Sequence, residues 1–205
     1  MSLPTYDKSK RRADFAQLPK DAYVVRLMAA KEEPNKSGNG RHLKISCDIA
    51  EGEYKDFYAQ QYERSTAEDK KWPADGIFIL GIPEENDEPW KFTNWNTFFS
   101  DLEDSNNGFV FAGDLKALKG KLIGGKFYIE QSESNGNIYN HTRLRWTCVV
   151  DDVRSGKAAK SLPNDKLIGS GKASGSGSGK SYAKPSGGKA GFMDIPDDAV
   201  DDFPF

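Results

Sequence analysis

The chain is poor in the residues that build covalent or metal-held scaffolds, with 2 cysteines and 2 histidines among 205 residues. Cys47 and Cys148 each lie inside an alternating apolar run, where a small buried hydrophobe belongs, so no disulfide framework is expected. His42 and Cys47, like His141 and Cys148, stand an odd number of residues apart in an expected strand. They face opposite sides, which removes a zinc site built on them. No apolar stretch approaches the roughly 20 residues that cross a bilayer, and residues 1–20 are too polar for a signal peptide. The expectation is a soluble cytoplasmic chain that needs no cofactor, metal or membrane.

Enzyme signatures are missing as well. Gly179-Lys180-Ser181 ends like a phosphate-binding loop, but Ser174 stands where that motif needs its first glycine, and no strand precedes it. Glu84, Glu85, Asp87 and Glu88 form an acidic run in a proline-flanked segment, which reads as a solvated surface rather than a magnesium site. The chain is therefore read as a binder, not an enzyme.

What the sequence does have is unevenly spread. Residues 1–152 carry a net charge of −4, residues 153–191 carry +7 and residues 192–205 carry −5, which together make the −2 of the whole chain. An acidic body that binds an anion needs a local basic patch. Residues 115–150 supply one, with Lys116, Lys119, Lys121, Lys126, Arg143 and Arg145 against Glu130 and Glu133.

Between residues 22 and 64 the hydrophobic period is two. Residues 23–28 read as a strand and 34–40 as a turn; Leu43, Ile45, Cys47 and Ile49 then alternate with His42, Lys44, Ser46 and Asp48 to give one core face and one wet face. Residues 57–62 read as a third strand. A helix is expected from 94 or 96 to 104, with Trp95, Phe98, Phe99 and Leu102 on the face that packs on the core. Residues 122–130 and 138–150 read as strands joined by an Asn-Gly hairpin. In the last strand Leu144, Trp146 and Cys148 are expected to point one way, and Tyr139, His141, Arg143 and Arg145 the other.

This order predicts a mainly β fold: a five-stranded OB-type antiparallel barrel with a helical connection between strands 3 and 4, followed by a disordered C-terminal tail. The divisions are a basic arm at 1–20 with Lys8, Lys10, Arg11 and Arg12, the barrel at 21–152, a flexible Gly/Ser/Lys linker at 153–191, and an acidic tip at 192–205.

The tip reads Met193-Asp194-Ile195-Pro196-Asp197-Asp198-Ala199-Val200-Asp201-Asp202-Phe203-Pro204-Phe205. It resembles the acidic tip of bacterial and phage single-stranded DNA-binding proteins, which ends in Met-Asp, a run of acids, then an apolar residue, Pro and Phe. Phe203 stands where isoleucine is usual, and Ala199-Val200 interrupts the acids. More weakly, 18–62 and 122–150 look like phage-encoded OB-fold DNA-binding proteins. The resemblance implies that Phe205 and its carboxylate, with Phe203, Pro204 and Asp197, Asp198, Asp201 and Asp202, dock on replication, recombination or repair proteins in a bacterial host cytoplasm, a form of carboxylate capture.

Sequence-independent binding of a single strand calls for flat side chains on which bases stack and cations that track phosphates. The outward set expected to do this is His42, Lys44, Tyr58 and Tyr62 with Lys126, Tyr128, Tyr139, Arg143 and Arg145. An exposed edge strand would also be open to pairing with a second copy of the chain. Two other readings remain: a protein-binding adaptor that makes no nucleic-acid contact, and an RNA binder.

Overall fold

The computed structural model describes residues 17–36, 38 and 40–168. Nearly all of the expected arm, the linker beyond 168 and the whole tip, including Asp197, Asp198, Asp201, Asp202, Phe203, Pro204 and Phe205, lie outside the described residues. The rest is mainly β. Strands β1 (Ala22–Pro34), β2 (Arg41–Ile49), β3 (Ile77–Ile82), β4 (Leu122–Ser134) and β5 (Asn137–Cys148) form one antiparallel sheet in the order β3-β2-β1-β4-β5. Val25 shows why β1 is the spine: it pairs with Ile49 of β2 on one side and Ile123 of β4 on the other, and all three are fully buried.

The strand expected at 57–62 is instead helix α1 (Phe57–Arg64). Its Ala, Gln, Glu and Arg are good helix formers, and its start is organised from outside the segment. The Asp48 carboxylate on β2 accepts the backbone N–H groups of Tyr58 at 2.9 Å and Ala59 at 3.2 Å, taking up donors that a helix N-terminus leaves unmet. The third strand of the sheet is Ile77–Ile82, in a stretch the period-two reading passed over. It pairs along β2 from Ser46↔Ile77 to Arg41↔Ile82. Strand β2 has no wet face: His42, Lys44, Ser46 and Asp48 are buried like the apolar residues between them.

Helix α2 (Pro89–Ser105) is the connection between β3 and β4, and it starts earlier than residue 94 because proline is at home in a helix's first turn. Its aromatic stripe goes to the core as the spacing predicts. Phe98 stacks on Phe78 of β3 with ring centroids 5.9 Å apart, and Phe99 stacks on Phe111 at 4.1 Å and meets Trp95 at 4.8 Å.

Where β4 passes under the end of β5 the backbones nearly touch. A Cβ on Gly124 would lie 2.7 Å from Cys148 Sγ and 2.8 Å from the carbonyl oxygens of Cys148 and Val149. The hairpin turns at Asn135 and Gly136, both at positive φ, as an Asn-Gly type I′ turn requires.

The folded body does not stop at residue 152. Helix α3 (Val150–Arg154) and a 3-10 turn (Ala158–Ser161) follow β5, with Ala158 buried. Residues 162–168 then return along β4: Lys166 N–H donates to Ile129 O and Gln131 N–H to Lys166 O, both at 2.9 Å. Residues 153–168 therefore belong to the body rather than to the expected linker, because these backbone groups find partners on the edge of β4 that β1 has left. Among the described residues no helix is long and apolar enough to cross a membrane.

Candidate nucleic-acid interface

Alternate residues of the β4–β5 hairpin share its outward face. The register Ser132↔Tyr139, Glu130↔His141, Tyr128↔Arg143 and Lys126↔Trp146 puts these pairs side by side. Five of the nine expected site residues therefore lie along this face: Lys126, Tyr128, Tyr139, Arg143 and Arg145. The Arg145 guanidinium lies over the Tyr128 ring, 5.8 Å from its centroid. Tyr139 is 48 % exposed near the hairpin tip. Tyr128 is largely buried, and burial pushes its hydroxyl pKa up, so only part of its ring is offered.

The other four do not join them. His42 and Lys44 are buried on β2. His42 Nδ1 lies 2.7 Å from Asn35 Oδ1, and burial lowers the pKa of the ring; Lys44 Nζ lies 3.7 Å from Glu33. Tyr58 is 1 % exposed on α1, with its hydroxyl 3.4 Å from Thr142 O. Tyr62, also on α1, leans on Trp72 with centroids 5.8 Å apart. The outward orientation expected of His42, Lys44 and Tyr58 is thus corrected: one strand is covered on both faces, and the other segment is a helix.

Charge on the hairpin face is mixed. Arg143 Nη1 donates to Glu130 at 2.8 Å and its Nε to Asp75, immediately upstream of β3, at 3.3 Å. His141 sits between Asp75, 3.1 Å from Nδ1, and the Ser132 hydroxyl, 2.9 Å from Nε2. The hydrogen bond to Asp75 raises its pKa against the opposing effect of burial. Through Asp75 the two edges of the sheet, β3 and β5, are held near one another. Lys126 is less engaged, donating to Ser161 Oγ at 2.8 Å.

One residue of this face, Trp146, is expected from the sequence to point the other way. The ladder runs Gly125↔Thr147, Lys126↔Trp146 and then Phe127↔Leu144, so Arg145 is an extra residue, a β-bulge. The bulge breaks the expected parity. Leu144 points into the core as expected, while Trp146 and Cys148, expected beside it, turn to the face of Lys126 and Gly124, where Trp146 is 50 % exposed and Cys148 is buried. A tryptophan flanked by Arg145 and opposite a lysine was the available signal, but only the bulge reverses its direction.

No protein-family model matches the chain, and no curated protein matches it significantly.

Proposed function

We propose that the protein is a non-enzymatic, sequence-independent binder of single-stranded DNA, and that its sheet is an OB-type barrel with the β4–β5 hairpin as the main contact surface. The observation that carries this reading is the gathering of Lys126, Arg145, Tyr128 and Tyr139 on one outward face. It combines cations for phosphates with rings for unpaired bases, which duplex DNA keeps stacked away. The strand order fits a barrel: β1 is central, the β2-β3 side and the β4-β5 hairpin flank it, and Asp75 draws the outer strands together. The acidic tip would then recruit replication, recombination or repair proteins, tethered at high effective concentration by the linker.

Titration of a labelled oligo-dT by fluorescence anisotropy, against duplex of equal length at about 50 and 200 mM salt, tests this reading. Tight, salt-sensitive binding of the single strand with weak duplex binding is the expected outcome, and no binding at the lower salt overturns it. Oligo-U in the same assay separates DNA from RNA.

The ion pairs of Arg143 with Glu130 and Asp75 favour a second reading, a protein-binding adaptor, because they neutralise a cation that a phosphate would need. Such an adaptor would show no salt-dependent oligonucleotide binding.

A further inference from the structure

Trp146 is the most exposed aromatic side chain among the described residues, at 50 %, and it stands across the bulge from Leu144, which is buried in the core. A tryptophan usually buries its ring and finds an acceptor for its N–H, as Trp72 does on Cys47 O at 3.2 Å. The Trp146 indole has neither a ring partner nor an acceptor among the described residues. Its backbone is held on both sides: the bulge at Arg145 precedes it, and the Thr147 hydroxyl donates to Asp101 at 2.7 Å after it. Across the ladder Lys126 has two of its three N–H donors left after its bond to Ser161. A lone flat ring among cations suits a base beside a phosphate better than an apolar protein surface, which would call for apolar neighbours.

We propose that Trp146 and Lys126 form a nucleotide subsite at the bulge, the indole stacking one unpaired base while the ammonium meets the adjoining phosphate. This rests on the single-strand-binding reading above. The full-length protein and its Trp146→Ala and Trp146→Phe variants are titrated with a labelled oligo-dT of about 20 nucleotides, and with the same backbone carrying abasic sites, over a range of salt. W146A is expected to weaken oligo-dT binding about 5- to 50-fold, and W146F less than about 5-fold, since one base stack is at stake. The slope of affinity against salt should stay the same, because no phosphate contact is removed. On the abasic strand, wild type and W146A should bind alike. If both bind oligo-dT equally, or if W146A loses as much on the abasic strand, the subsite is overturned while single-strand binding stands. If the wild type binds no oligo-dT, the parent reading fails and the subsite with it.

Discussion

Glu130 holds Arg143 through one carboxylate oxygen at 2.8 Å and Lys166 through the other at 3.0 Å, so a single acid ties the outward face of the hairpin to the segment returning along β4. Cations held this way are not equivalent to Lys126 on the same face.

Glu130→Gln should therefore tighten oligo-dT binding by about two- to fivefold at low salt and steepen its salt dependence, as a charge on Arg143 or Lys166 becomes available to phosphate. Lys126→Ala should weaken binding and lower the salt slope by about one. Arg143→Ala should weaken binding less than K126A does. It should also cost roughly 1–3 kcal/mol in denaturant unfolding, because Asp75 and Glu130 lose a partly buried partner. Equal losses from K126A and R143A would contradict this ordering.

Tyr58 separates fold from site. Its ring is fully buried between Phe57 and the residues around Thr142, so Tyr58→Ala should cost about 3–5 kcal/mol of stability, as large-to-small aromatic truncations in cores do. Tyr58→Phe keeps the packing and should leave oligonucleotide affinity unchanged. A drop in affinity for Y58F with unaltered stability would restore Tyr58 to the interface.

The pKa values of the two histidines should be displaced from the ordinary value in opposite directions in an NMR pH series. Asp75 raises the His141 pKa, so this ring adds stability that is fully present below the unfolded pKa of about 6.5 and is lost as pH rises through the higher folded value. Burial lowers the His42 pKa, so its contribution is complete above about 6.5 and is lost as pH falls toward the lower folded value. Asp75→Asn should return His141 toward its ordinary value and remove its share of the pH dependence; an unmoved His141 resonance would show that the contact is not maintained in solution.

Gly124→Ala places a methyl group against two carbonyl oxygens that cannot step aside, and should destabilise by about 1–3 kcal/mol by thermal or denaturant unfolding. Gly136→Ala meets no atom within 4 Å, so its cost comes only from the positive φ of the turn. Equal destabilisation by the two would argue against the tight crossing of β4 and β5.

Local pattern was enough wherever one segment's own residues decide its state. The strands β1, β2, β4 and β5, the Asn-Gly turn, and the Trp95-Phe98-Phe99-Leu102 stripe of α2 each follow from side-chain spacing, and so do the last hairpin's outward residues up to Arg143, where the bulge at Arg145 ends the period. Residues 57–64 carry a pattern that suits strand or helix, and the choice falls to Asp48, which lies outside the segment.

The sequence by itself determined the mainly β class, the hairpin, the helix before β4, and the charge division between body, following segment and tip, because these depend on composition and near neighbours. Only the tertiary structure decided that β2 has no wet face, that residues 153–168 fold back on β4, that Arg143 is engaged by Asp75 and Glu130, and that a bulge turns Trp146 outward. Each of these depends on which groups from distant parts of the chain satisfy one another's hydrogen bonds and charge. Side-chain periodicity carries no record of such partners.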